Sequence, residues 1–202
     1  MGVFAARTKT LDRSPEPKVK GVAFRTVDQC LLELSGPPAH QRAMALMTKE
    51  VAEAYRYGTL LPASWYPISW YRDVFRAYRA ATGAGPELPR RIGALAVQHD
   101  MRGAHKRFVA WFTSPQSLLS LSQRVFSTYY DTGRIEIVDS RTGFVRMRAT
   151  GCLGWDSNMW SELAGSSQAL LEVAGARHVR VHGVSGGQDG DPQHELEAHW
   201  VR

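Results

Sequence analysis

The stretch Gly151–Gly175, GCLGWDSNMWSELAGSSQALLEVAG, decides how this chain is read. It spells a turn, a capped helix and a glycine stop. Asp156 or Ser157 can N-cap the helix, because a short oxygen side chain satisfies the free amides of a first turn. Glu162 sits early enough to suit the positive end of the helix dipole. Trp160, Leu163, Ser167, Leu170, Leu171 and Ala174 share one face at helical spacing, and Gly175 suits the left-handed C′ position. On the opposite face Ser161, Gly165, Gln168 and Ala169 are small or uncharged, where a solvated face carries charge. Gly165 costs about 1 kcal/mol against alanine inside a helix, so close packing is expected there. The cover is either the chain itself or, on the sharper reading, a dimer interface or a ligand wall.

Working outward, Arg134–Asp139 and Phe144–Thr150 alternate with period two and are joined by the turn-like run Ser140–Gly143. Ile135, Ile137, Val145, Met147 and Ala149 are expected to face the core, with Arg146 and Arg148 outside near Glu136. After the helix, Val179 and Val181 alternate with His178, Arg180 and His182. Leu196, Ala198 and Trp200 alternate with Glu195, Glu197 and His199. Ser185–Pro192 reads as a long, mobile hairpin loop between them. The C-terminal third is therefore strand–strand–helix–strand–strand, an antiparallel sheet with one face on the helix and one face wet.

The N-terminal half reads as helices. Residues 1–17 form a polar leader, and 18–202 a single α+β domain. Lys18–Phe24 suits a short strand. Thr26-x-x-Gln29 is a capping box opening a helix to Leu34, with Ser35-Gly36-Pro37-Pro38 as its stop and a second helix over Ala39–Leu46. Thr48 caps a third. Thr59–Ile68 is a proline-bounded aromatic loop. Ser69 caps the next helix, with Trp70, Val74, Tyr78 and Ala81 on one face, Tyr71 and Phe75 flanking it, and Gly83 at its end. Pro86 suits the start of a helix bearing Leu88, Ile92, Leu95, Ala96 and His99. Short helices follow at Phe108–Phe112 and from Ser114 to Tyr129.

Composition bounds the function. At 202 residues the chain can bury a core of its own. No run of about 20 apolar residues marks a membrane span, and no export signal is evident, so a cytoplasmic setting is expected. Cys30 and Cys152 are too few for a disulfide scaffold or a cysteine-only zinc site. The formal charge is +6, and residues 1–20 hold +3 of it. The body is only mildly basic, which argues against a nucleic-acid partner.

Arg56–Gly83, Phe126–Tyr130, Gly151–Trp160 and Leu171–Val181 resemble a myxobacterial paralogous family of uncharacterised proteins, over about Lys18 to Val201. The order of elements also resembles a wider superfamily of bacterial haem–nitric-oxide sensors, 4-vinyl reductase-type domains and TRAPP-type trafficking subunits. That resemblance implies a hydrophobic ligand pocket between helices and sheet, and dimers in some members. The haem-sensor signature around tyrosine, serine and arginine is not evident.

Chemistry-bearing residues were weighed against structural roles. Haem would need a helical histidine facing an apolar pocket, and His99 and His105 are the candidates, but such a histidine is more often a hydrogen-bonded core residue. His178, His182 and His199 lack compact zinc spacing and read as decoration of a wet sheet face, so no metal site is assigned. Asp189-Gly190-Asp191 lacks a full calcium-loop pattern. There is no nucleophile elbow, reactive-cysteine motif or phosphate-binding glycine loop. Trp65, Tyr66, Trp70, Tyr71 and Tyr78, with His99 and Trp160, are the candidate pocket or interface residues. The reading is a non-enzymatic, bacterial ligand-binding or sensory domain for a hydrophobic small molecule, expected as a homodimer, with no cofactor specified. The alternative is a dimeric interaction scaffold without a ligand.

Overall fold

The computed structural model describes residues 16–102 and 122–201. The helices predicted at Phe108–Phe112 and over the first residues after Ser114, and His105, lie outside them. Strand β1 (Lys18–Lys20) pairs antiparallel with β2 (Trp65–Pro67), so the aromatic loop expected at Thr59–Ile68 ends in a strand. Helix α1 runs Gly21–Leu46. It opens five residues before the expected capping box, since the strand at Lys18 ends at Lys20 and Gly21 bonds to Ser64. The predicted stop is a kink: Gly36 takes φ 76°, and the helix resumes through Pro37 and Pro38.

Helix α2 spans Lys49–Arg56, and Thr48 holds the N-cap position without a side-chain cap. Its amide is taken by Asp73 Oδ2 at 2.7 Å. Helix α3 (Ile68–Thr82) starts before Ser69, whose amide goes to Glu16, and ends at Gly83 as expected. Tyr71, Val74, Phe75, Ala77 and Tyr78 are buried, so the core stripe is centred on the residues expected only to flank it. Helix α4 is Glu87–Arg102 and α5 is Ser122–Tyr129.

Strands β3 (Arg134–Arg141), β4 (Phe144–Thr150), β5 (Arg177–Gly186) and β6 (Gln193–Val201) form one antiparallel sheet in the order β3-β4-β6-β5. Helix α6 (Ser157–Val173) connects β4 to β5 and lies on the sheet. Val145, Met147, Val179, Val181, Leu196, Ala198 and Trp200 form the inner face with Ala164 and Leu171 of α6. Ile137 is 36% exposed because β3 is an edge strand, contrary to its expected core role. Arg146 and Arg148 pair with Glu197 and Glu195 of β6. Glu136 stands opposite Arg148 in the β3–β4 register, as expected, and its carboxylate pairs with Arg134.

Strand β5 extends two residues further than expected, to Gly186, β6 starts at Gln193 directly after the expected loop, and residues 187–192 are left as the connection. That connection is docked. Trp160 Nε1 donates to Gln188 O at 3.2 Å, Ser157 N to Asp189 Oδ1 at 2.8 Å, and Gly190 N to Trp155 O at 3.2 Å. The small-residue face of α6 is covered by α4 of the same chain, which is the plainer of the two readings of that face. A Cβ on Gly165 would stand 1.9 Å from Arg90 O, and one on Gly93 would stand 2.1 Å from Glu162 O. Among the described residues no helix is long and apolar enough to cross a membrane.

Candidate functional site

Helix α6 is the hinge of two cores. Its Met159–Trp160 end packs with α1, α3 and α5, and its Ala164–Leu171 portion packs on the sheet. Asp156 caps it, accepting from Met159 N at 3.0 Å, and Gly175 takes φ 91° after its end. Both termini are therefore set by local chemistry, which fixes the rotation of every side chain between them. Glu162 is turned inward by that rotation, towards the helical half.

Glu162 is 7% exposed and sits where no solvent reaches its carboxyl oxygens. Tyr71 Oη of α3 donates to its Oε1 at 2.7 Å. Oε2 has no hydrogen-bond partner. The Tyr130 phenol acts on both Tyr71 and Glu162. Burial pushes the Glu162 pKa up to about 8, partly offset by the Tyr71 hydrogen bond and the neighbouring Tyr130 phenol. Burial, then the Glu162 carboxyl, push Tyr71 and Tyr130 well above the usual phenol range. At neutral pH the cluster is mostly uncharged: an acid with one unused oxygen, flanked by two phenols. It can give a hydrogen bond to an acceptor or exchange a proton. Cys30 and Cys152 are buried thiols pushed by desolvation up to about 12, which makes them inert.

Two aromatic chains converge on this carboxyl. Trp70 stacks on Tyr66, Tyr66 meets Phe24 edge-on, and Phe24 meets Tyr71 at 5.1 Å between centroids. On the other side Phe126 and Tyr130 pack on Trp155, which packs on Trp160 at 4.6 Å. So the structure brings Tyr66, Trp70 and Tyr71 into one run and puts Trp160 in the other. Trp65 is 38% exposed under the Lys20 ammonium, on the β1–β2 ribbon. Tyr66 Oη ties the 59–61 turn, accepting from Leu61 N and donating to Thr59 O, both at 2.7 Å. Tyr78 Oη donates to Asp28 Oδ1, which also holds His40 Nε2. His99 Nε2 lies 2.9 Å from Glu33 Oε2. These contacts tie Tyr66, Tyr78 and His99 to neighbouring groups. An open groove of about 710 Å³ lies elsewhere, between α1, α2 and the 58–62 turn, lined by Arg25, Asp28, Leu32 and Tyr55 among others.

Glu162 was missed as a site residue. Its signal was present: it is the only acid of α6 before Glu172, on a helix with no lysine or arginine, beside the small residues Ser161 and Gly165. A lone acid on an uncharged, closely packed face is a candidate buried carboxyl.

No protein-family model matches the sequence, and no curated protein matches it. Solved structures do. The Fe(II) unliganded H-NOX protein from K. algicida is similar at a TM-score of 0.70 and 11% identity, over 91% of this chain and 97% of that one. An oxygen-binding H-NOX domain related to soluble guanylate cyclases is similar at 0.65 and 15% identity, over 91% and 95%. A further structure, from work on haem distortion in the H-NOX family, is similar at 0.64 and 14%, over 91% and 95%. At these identities the likeness is one of architecture: the chain has the α+β fold of H-NOX domains.

Proposed function

We propose that this protein is a non-enzymatic sensory domain that holds a small molecule at the junction of helices and sheet, with Glu162 as its polar anchor. The observation that carries the reading is the fully buried Oε2 of Glu162, which accepts no hydrogen bond although the Tyr130 phenol lies beside the carboxyl. Leaving a buried polar atom unsatisfied costs about 1–3 kcal/mol, and a ligand acceptor atom facing Oε2 removes that cost. The ligand is mainly apolar with one hydrogen-bond acceptor, matching aromatic walls and one neutral acid. The interior is closed around the carboxyl, so binding requires α6 and the helical half to part. A ligand that does this couples its own presence to their relative position, which is what a sensor needs.

Two of the similar solved structures come from work on haem. A histidine that holds haem needs a ring nitrogen free to bind iron over an apolar cavity. Among the described residues, His40 and His99 have Nε2 on carboxylates, and His194 has Nδ1 on Ser185 O with its ring against Trp160. His178, His182 and His199 are exposed. Phe126, Tyr130, Trp155 and Trp160 pack ring against ring. The described residues set out no site for haem, His105 lies outside them, and the reading takes no step through haem.

Native mass spectrometry of the purified full chain tests this. A retained small molecule, depleted in Glu162→Gln, is expected. A wild-type chain with no ligand under any loading condition overturns the reading. So does a saturable haem absorbance after reconstitution. The dimeric scaffold is the weaker reading, because α4 covers the small-residue face of α6 that was to be its interface.

A further inference from the structure

The outer face of the sheet is laced by cross-strand ion pairs in register, Arg148 with Glu195 and Arg146 with Glu197. Towards the β5 edge the pattern changes to imidazoles. His182 of β5 lies directly opposite Glu197, and His199 is two residues further along β6 on the same face. His182 Nε2 is 3.5 Å and His199 Nε2 3.6 Å from Glu197 Oε2. The three ligand atoms all lie within 4.8 Å of one another. The two rings are parallel to 6°, and the Phe144 ring lies 5.0 Å from that of His199. Glu197 Oε1 accepts from Arg146 Nε at 2.8 Å, which turns Oε2 towards the imidazoles.

We infer that His182, Glu197 and His199 form a binding site for a divalent transition-metal ion of the zinc class. Two imidazoles and one carboxylate suit zinc, copper or nickel, whereas magnesium and calcium take oxygen ligands. Zinc bonds of about 2.0–2.2 Å in a tetrahedron put ligand atoms about 3.3–3.6 Å apart. Both nitrogen–oxygen separations already meet that spacing. Small rotations of two half-exposed rings bring the nitrogens in. Three protein ligands leave a fourth position to water. Arg146 is a positioning residue, acting through Glu197. The site is on the outer face of the sheet and Glu162 is on the far side of its inner face, so this inference stands apart from the ligand reading.

The test uses the full chain with any polyhistidine tag removed. Cobalt(II) is titrated and its visible tetrahedral band followed, then displaced with zinc, with calorimetry for stoichiometry. One ion per chain is expected. His182→Ala, His199→Ala and Glu197→Gln should each weaken binding by about tenfold or more, the scale on which losing even an outer partner acts. His178→Ala, an exposed histidine outside the cluster, should bind as wild type. Both histidines are exposed, so the variants should keep the wild-type urea midpoint. Absence of a saturable cobalt band, or binding that persists unchanged in the His182→Ala/His199→Ala double variant, overturns the inference.

Discussion

Gly93 of α4 and Gly165 of α6 each lie against a backbone carbonyl of the other helix, Gly93 against Glu162 O and Gly165 against Arg90 O. The two helices cross backbone to backbone, and nothing larger than hydrogen fits at either position. The contact seats α6 so that Glu162 points into the helical half. Arg90 reaches past the crossing to Gln168 and to Val181 O at 2.8 Å, tying α4 to β5.

Gly165→Ala gains about 1 kcal/mol of helix propensity but must push a Cβ into backbone that cannot rotate away. Overpacking of this kind costs about 1–3 kcal/mol. The substitution is therefore expected to lower the urea midpoint, and Gly93→Ala should act alike. An unchanged or raised midpoint in both would refute the close crossing.

The raised pKa of Glu162 makes stability depend on pH, and the sign is fixed. The folded state holds a proton up to about pH 8 that the unfolded chain releases near the ordinary carboxyl value of 4.5. Stability is full below the unfolded value, falls as pH rises, and is lowest above about 8. Glu162→Gln keeps an acceptor for Tyr71 and removes the titration. Urea midpoints of wild type and Glu162→Gln, compared from pH 5 to pH 9, should diverge upward in favour of the variant. Parallel profiles would refute a buried, neutral acid.

The 187–192 connection is pinned to the start of α6 by Asp189, whose carboxyl is held below its usual range by the Ser157 amide it accepts. Asp189→Ala should leave that amide open and speed its hydrogen exchange, with exchange in mid-helix unchanged. No difference at Ser157 would mean that the loop is not docked in solution.

Desolvation holds both thiols protonated, with Cys30 and Cys152 pushed up to about 12. Neither should react with a thiol reagent at pH 8 while the chain is folded, and both should react at once in denaturant. Rapid titration of either in the native protein would contradict the packing around α1 and the β4–α6 turn.

The C-terminal architecture was legible because its signals are local. Period-two alternation in Phe144–Thr150 and Gln193–Val201, an Asp156 cap and a Gly175 stop all act within a few residues, and each stands where the sequence places it. The N-terminal boundaries were less legible. The Thr26 capping box is overridden because Gly21 meets Ser64 and Leu61, contacts about forty residues away that start α1 early. Ser69 fails as a cap for a similar reason, since β2 delivers the chain to α3 through Pro67. Periodicity marks the aromatic residues as a group but says nothing about whether rings pack on each other or around a ligand.

By itself the sequence determined an α+β chain with a helical first half and a four-stranded antiparallel layer on one capped helix. Backbone hydrogen bonding, side-chain period and capping are short-range, and one chain's pattern suffices to specify them. Only the tertiary structure decided which acid is buried, and that two imidazoles share a carboxylate. Glu162 meets Tyr71 across 91 residues, and a pKa is set by whatever solvent and dipoles the fold leaves around the group. His182 and His199 become neighbours only because β5 and β6 pair in one register.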